Sequence, residues 1–209
     1  MIIQNIAVLV SGGGTNLQAL IDYKAGGGLK NGNLSCVISS NPEAYALKRA
    51  ENNRIPAEVV SRNQFAKRED FESKLMKILD NYNIDLIILA GFMCILGDGI
   101  INKYRNRIIN VHPSLIPSFC GKGYYGLRVH EAALEYGVKI TGATVHFVNE
   151  VTDGGAIILQ KSVDIMPDDD AKSLQKRVME QAEWIILPKA VELFCDGRIE
   201  IVGNKTKII

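Results

Sequence analysis

The fold is set by a stretch near the start of the chain, which reads Ile6-Ala7-Val8-Leu9-Val10-Ser11-Gly12-Gly13-Gly14-Thr15-Asn16-Leu17. Its first five residues are apolar, which predicts a buried strand, and an apolar periodicity predicts a helix from Leu17 towards Tyr23. A strand, a glycine-rich turn and a helix start bring unpaired backbone amides and the positive end of a helix dipole to one point. The stretch therefore predicts either a phosphate site or a tight turn without a ligand.

The glycine turn differs from two common phosphate-binding motifs. Asn16 and Leu17 fill the last positions of what would be Gly-x-Gly-x-x-Gly, and no acidic residue follows a second strand at the dinucleotide spacing. The turn also lacks the lysine of a P-loop. The sequence thus predicts neither a dinucleotide-binding motif nor a P-loop.

Strand and helix patterns alternate through the first half of the chain. Strands are predicted over 34–39, 57–60 and 85–89, and helices over 43–53 and 68–82, which implies a parallel, doubly wound sheet with its ligand crevice outside the strand C-terminal ends. After Asp153-Gly154-Gly155, a strand from Ala156 to Gln160 is predicted antiparallel to the strand Thr144 to Val148. The fold class is therefore α/β, with a doubly wound, mostly parallel sheet and an antiparallel edge. Pro188 is expected to kink or interrupt the last helix.

Composition favours one globular domain, 1–209, that acts on small molecules. The chain has 209 residues, and 47% of them are hydrophobic, which is enough for a full core. Its net charge of +1 comes without the basic patch that binding of nucleic acid requires. The start of the chain lacks the pattern of a signal peptide, and the longest uncharged apolar run, 86–97, is too short to span a membrane, so we expect a cytoplasmic protein. The cysteines lack metal or disulfide spacing and are expected to be free thiols: Cys36, Cys94, Cys120 and Cys195.

A second part of the sequence contains candidate catalytic residues. Asn110 and His112 lie two residues apart where a strand ends at Pro113, so their side chains share one face. Asp153 stands in a glycine-flanked turn, and a carboxylate beside His112 would stabilise the imidazolium and hold the pKa of His112 up. A carboxamide, an imidazole and a carboxylate suit a reaction that passes through an oxyanion. By residue type alone, a structural histidine and a plain turn are the commoner interpretation.

The sequence of this region resembles that of the folate-dependent formyltransferase family. The resemblance rests on Asn110-Val111-His112-Pro113-Ser114-Leu115-Ile116-Pro117 and on Gly142-Ala143-Thr144-Val145-His146-Phe147-Val148 followed by Asp153. It extends from the strand at Ile6 to the helix that ends near Asp196. It implies a Rossmann-like formyltransferase fold and an enzyme that passes the formyl group of 10-formyltetrahydrofolate directly to an amine of a ribonucleotide in purine biosynthesis, without a metal.

The resemblance also implies site residues. The catalytic set is Asn110, His112 and Asp153. The N-terminal half is expected to bind the ribonucleotide phosphate, and the C-terminal half is expected to bind folate and catalyse. The implied ribonucleotide-binding residues are Gly14, Thr15, Asn16, Leu17, Gln18 and Glu183, and the folate-binding residues are Arg68, Met93, Cys94, Ile95, Leu96 and Asn110. Cys94 replaces the family's usual arginine. Glu180 is an alternative to Glu183, because the segment from Arg177 to Glu183 is one residue longer than the usual family form.

Three alternatives share parts of this pattern. A formyltetrahydrofolate hydrolase usually has His-His-Ser where this chain has His112-Pro113-Ser114, and a methionyl-tRNA formyltransferase has Trp-Arg-Gly in the segment that here reads 118–121. A non-enzymatic nucleotide-binding module would keep the glycine turn but gives no reason for the catalytic set. The oligomeric state stays open.

Overall fold

A computed structural model describes residues 2–209, and the chain divides into two compact units, the first ending at Ile109 and the second running from Asn110 to Ile209. The strands are β1 (Gln4–Val10), β2 (Gly32–Ser39), β3 (Ala57–Val59), β4 (Leu86–Leu89), β5 (Ile108–His112), β6 (Ile140–Phe147), β7 (Ile157–Asp164), β8 (Ile199–Val202) and β9 (Lys205–Ile208). The α-helices are α1 (Thr15–Ala25), α2 (Tyr45–Asn52), α3 (Arg68–Asn81), α4 (Asp98–Lys103), α5 (Leu127–Tyr136), α6 (Ala171–Val178) and α7 (Trp184–Cys195).

The first unit contains the predicted parallel sheet. Its strands lie in the order β3-β2-β1-β4, and β1 pairs parallel with β2 and β4, as β2 does with β3. The predicted core strand is confirmed, because residues 6–10 of β1 are completely buried. The glycine turn follows β1 and the 90s loop follows β4, so both lie at the C-terminal ends of parallel strands, where α/β sheets bind their ligands.

The second unit carries the antiparallel edge. β6 and β7 pair antiparallel, as the short Asp153-Gly154-Gly155 link predicts, and β9 continues the sheet beside β7. The hairpin of β8 and β9 was not predicted. Its signal was the Gly203-Asn204 dipeptide, which is typical of a two-residue hairpin turn.

The last helical region is interrupted, but not at Pro188. A π-helical turn, Met179–Glu183, separates α6 from α7, and Pro188 lies inside α7. A proline ring clashes with the carbonyl four residues earlier, here that of Trp184, so the irregular turn falls immediately before that residue. A π-helical turn has i→i+5 bonds and therefore holds about one residue more than an α-turn.

Other expectations concern the whole chain. Within residues 2–209, no helix combines the length and the apolar character that crossing a membrane needs. All four cysteines are free thiols, as predicted. The assignment of 1–209 to a single domain stays a prediction.

Candidate active site

The second unit brings Asn110, His112 and Asp153 together. Asn110 and His112 project from the end of β5, and His112 is only 5% exposed. Its Nδ1 lies 3.7 Å from Oδ2 of Asp153, and both side chains are almost completely buried. The period-2 geometry of a strand gives the two β5 residues one shared face, so the predicted grouping of these three side chains is observed.

Asp153 is held in place by its backbone and by a main-chain donor. Its φ of 55° lies in the left-handed region, which aspartate tolerates better than most residues. The amide of Gly121 donates to its Oδ2 at 2.8 Å. Burial alone would raise the pKa of Asp153, but His146, His112 and the Gly121 amide together hold that pKa below its ordinary value. The carboxylate is therefore ionised over the neutral pH range.

The carbonyl of Phe119 determines the protonation pattern of His112. His112 Nε2 lies 2.9 Å from this oxygen, which can only accept, so Nε2 carries a proton. Phe119 reaches this position with a φ of 47°, an uncommon value for a bulky residue. Its ring makes edge contacts with Tyr124 and Tyr136. With Nε2 protonated, Nδ1 is left to face Asp153, so the imidazolium form has an acceptor at each nitrogen.

The pKa of His112 shows that two opposing effects act on the ring. Burial lowers the pKa of His112 below its ordinary value, while the charge of Asp153 and the Phe119 carbonyl raise it. Asp153 therefore acts in the predicted direction, but the expectation that the pair holds the pKa of His112 up is corrected, because desolvation of the buried ring is the larger effect.

His146 is a further member of this cluster. It is 1% exposed, and its Nε2 lies 3.1 Å from Nδ2 of Asn110 and 3.6 Å from Oδ1 of Asp153. Thr144 precedes it by two residues on β6 and fixes the segment after Pro113, because its hydroxyl donates to Ser114 O at 2.7 Å and accepts from Ile116 N at 3.0 Å. The alternation of Thr144 and His146 along a strand was the available signal.

The glycine turn lies in the first unit and presents unpaired amides. Gly14 is the N-cap of α1 with a φ of 70°, and Leu17 is completely buried, so Leu17 can meet a ligand only through its main chain. Helix α2 holds two carbonyls of the turn: Ala46 N donates to Gly12 O at 3.1 Å, and Arg49 Nε donates to Gly13 O at 2.8 Å.

The consequence of these two contacts follows from peptide geometry. The C=O and N–H of a trans peptide point in opposite directions, so pinning the carbonyls of Gly12 and Gly13 turns the amides of Gly13 and Gly14 away from α2. Nothing within residues 2–209 accepts from these two amides. Arg49 also donates to the side chain of Gln18 at 2.9 Å, next to this turn. The turn is therefore arranged to receive an anion.

The residues assigned to folate also lie in the first unit, with the exception of Asn110. Met93 and Ile95 are 58% and 70% exposed, whereas Leu96 is buried. Arg68 donates to Ile95 O at 3.1 Å, so it is tied to the loop of residues 93–96. Cys94 is half-buried; burial raises the pKa of its thiol, which a hydrogen bond with Ser40 only partly offsets. The thiol is therefore neutral, and it does not replace the charge of an arginine.

The two candidate glutamates differ in their environment. Glu183 ends the π-helical turn and is 6% exposed. The side chain of Glu180 is 45% exposed and lies 3.8 Å from Lys176 one turn earlier. The choice between Glu183 and Glu180 as the ribose-binding residue stays a prediction.

No metal site is apparent in the part of the chain that the structure describes. Residues 2–209 contain no group of three or more His, Cys, Asp or Glu side chains arranged to hold a metal ion. The metal-free reaction stays a prediction.

The chain matches the formyl transferase family over residues 4–191, and it belongs to this family. It is 40% identical over 201 residues to the phosphoribosylglycinamide formyltransferase of Haemophilus influenzae, with 96% of this chain and 92% of that protein aligned. It is also 40% identical to part of the human trifunctional purine biosynthetic protein adenosine-3, with 95% of this chain and 19% of that protein aligned.

A solved structure agrees with these relatives. Glycinamide ribonucleotide transformylase 1 from Symbiobacterium toebii superposes with a TM-score of 0.92 at 38% identity, covering 99% of this chain and 94% of that one. The predicted family, the α/β formyltransferase fold and the enzyme class are thereby confirmed. The roles of individual site residues stay predictions.

Proposed function

We infer that the chain transfers the formyl group of 10-formyltetrahydrofolate to the amine of glycinamide ribonucleotide, N1-(5-phosphoribosyl)glycinamide. One observation supports this reaction most directly: the Asn110 carboxamide, the His112 imidazole and the ionised Asp153 carboxylate converge in one cluster, in which the imidazole lies between the Phe119 carbonyl and that carboxylate. The unpaired amides of the glycine turn suit the phosphate of the ribonucleotide, and the exposed apolar side chains of Met93 and Ile95 suit the flat ring of a folate.

The first chemical step is the attack of the substrate amine on the formyl carbon. A carbon–nitrogen bond forms and the formyl oxygen becomes an oxyanion. Asn110 donates a hydrogen bond to that oxygen, and His112, as imidazolium, stabilises it and supplies a proton. To reach the substrate, the Nε2 proton of His112 exchanges its bond to Phe119 O for one to the oxyanion.

In the second step the oxyanion re-forms the carbonyl and the bond between the formyl carbon and the folate nitrogen breaks. The folate nitrogen takes up the proton that His112 supplies, so tetrahydrofolate leaves as a neutral amine, and His112 regains a proton from water. The amine that attacked loses a proton, which Asp153 passes to water. Asp153 has a second task, because its charge favours the protonated form of His112. The proposed reaction uses small-molecule substrates only, without nucleic acid, a membrane or a metal, and we expect it in the cytoplasm.

Formyl transfer with purified substrates tests the proposal. We expect tetrahydrofolate to appear only when glycinamide ribonucleotide is present, and we expect His112→Ala to abolish the reaction. Lys176→Ala is a matched control, because the side chain of this α6 residue is 72% exposed and forms a surface ion pair with Glu180, away from the catalytic cluster. Release of formate without the ribonucleotide would instead show a hydrolase, and binding of both ligands without turnover would show a nucleotide-binding module.

A further inference from the structure

The two ring nitrogens of His146 have different partners, which fixes its tautomer. Nδ1 lies 2.8 Å from the carbonyl oxygen of Phe147. A carbonyl oxygen can only accept, so Nδ1 carries a proton. In the neutral ring Nε2 is then an acceptor, and the atom in front of it, at 3.1 Å, belongs to the side chain of Asn110.

This tautomer decides which end of the Asn110 side chain faces the ring. Only the amide nitrogen Nδ2 can donate to a lone pair, whereas Oδ1 in the same place would be repelled by it. The 3.6 Å between Nε2 and Asp153 Oδ1 exceeds hydrogen-bond distance, so in the neutral ring Asn110 is the group that Nε2 orients, and only the protonated ring acts on the Asp153 carboxylate. One N–H of Asn110 meets His146, and no residue within 2–209 accepts the other.

We propose that His146 is a positioning residue whose Nε2 lone pair holds the Asn110 carboxamide with its donor available to the oxyanion. Without this lone pair, the terminal group of Asn110 can turn by half a revolution and exchange its donor for an acceptor. An oxyanion facing Oδ1 would be destabilised rather than stabilised. This role rests on the proposed formyl transfer, in which Asn110 is the oxyanion donor.

The competing explanation is that His146 only closes a hydrogen bond within its strand. The bond from Nδ1 to Phe147 O would satisfy that structural role by itself. Two substitutions distinguish the role of Nδ1 from that of Nε2. In His146→Asn the amide of the new side chain reaches the Nδ1 position but leaves Nε2 empty, whereas in His146→Gln a carboxamide oxygen can accept at the Nε2 position.

The test is a double-mutant cycle between positions 146 and 110, measured as formyl transfer at saturating substrates. We expect His146→Asn to lower kcat by about tenfold to a hundredfold, part of the roughly hundredfold to thousandfold effect of one oxyanion donor. Both KM values should stay within about threefold, and His146→Gln should recover most of kcat. In an Asn110→Ala background, His146→Asn should cost less than about threefold further, because the group on which it acts is absent.

Several results would overturn the proposal. Independent effects at the two positions, or a Gln variant no better than the Asn variant, would leave His146 with a structural role only. Melting temperatures of all variants separate lost activity from lost folding. If His146→Asn does not fold, a folded His146→Gln with kcat as low as Asn110→Ala is sufficient to reject the role. If the unsubstituted protein transfers no formyl group, the proposed function fails instead.

Discussion

Gly14→Ala should damage the glycine turn, because position 14 is constrained twice. Its φ of 70° is left-handed, and a Cβ built there would lie 2.6 Å from Ala46 Cβ and 2.8 Å from Ala46 Cα, both on α2. A left-handed backbone costs an L-residue roughly 1–2 kcal/mol. Overpacking of a well-packed contact typically costs about 1–3 kcal/mol. We expect the free energy of unfolding to fall by roughly 2–5 kcal/mol.

The same substitution should weaken binding of the ribonucleotide. Relief of the overlap moves the turn away from α2, and the hydrogen bonds from Ala46 and Arg49 that aim its amides are then lengthened. Loss of one hydrogen bond to a charged group is worth about 1.5–3 kcal/mol. We therefore expect the KM for glycinamide ribonucleotide to rise by about tenfold to a hundredfold, while the KM for the folate stays nearly constant.

Urea unfolding and steady-state kinetics measure both effects, and Gly12→Ala is the matched control. A Cβ at position 12 meets nothing within 4 Å, and the φ of Gly12 is not left-handed. That variant should stay within about 0.5 kcal/mol of the unsubstituted protein. If Gly14→Ala and Gly12→Ala were equally stable and had the same KM, the constraint from α2 would be disproved. Equal weakening of both substrates would disprove the phosphate assignment.

Four further outcomes are expected. Asp153→Asn removes the charge that raises the pKa of His112, so the limb of the pH–rate profile that belongs to His112 should move to lower pH; an unshifted limb with full turnover would reduce Asp153 to a turn residue. Asn110→Ala should lower kcat by roughly a hundredfold to a thousandfold with little change in KM, and a change in KM alone would exclude an oxyanion donor. Cys94→Arg should change folate affinity by about 1 kcal/mol or less, and a larger loss would mean that the thiol packs against the folate. Burial lowers the pKa of His130 to about 4, so stability should fall as the pH drops from about 6.5 towards 4, by about 3 kcal/mol at most, and urea unfolding of His130→Leu should lack this slope.

The features of the fold and the site that could be predicted from the sequence are those that depend on the periodicity of side chains along a strand or helix. Five consecutive apolar residues predict β1, and the spacing of Asn110 and His112 predicts a shared face, because residue identity alone carries both signals. Residue type also explains the start of α6, since Asp170 caps that helix by accepting from Ser173 N at 2.7 Å.

The parts that did not follow depend on backbone conformation and on long-range contacts. The residue type of Phe119 predicts neither its φ of 47° nor the direction of its carbonyl towards His112. The π-helical turn before Trp184 precedes the position whose carbonyl faces the Pro188 ring, and periodicity cannot locate such a turn. The contact between His146 and Asn110 joins residues 36 positions apart, so only the folded chain reveals it.

The bend at 119–121 has a consequence for anyone who would transplant this chemistry. His112 and Asp153 are held by a carbonyl of Phe119 and an amide of Gly121, atoms that every residue type other than proline possesses. The side chain at position 119 can therefore drift without changing the partner of the histidine, provided that its backbone tolerates a left-handed φ, as Gly, Asn and Asp do best. A graft that carried Asn110, His112 and Asp153 into another scaffold but left this bend behind would copy the residues and lose the environment that fixes their protons.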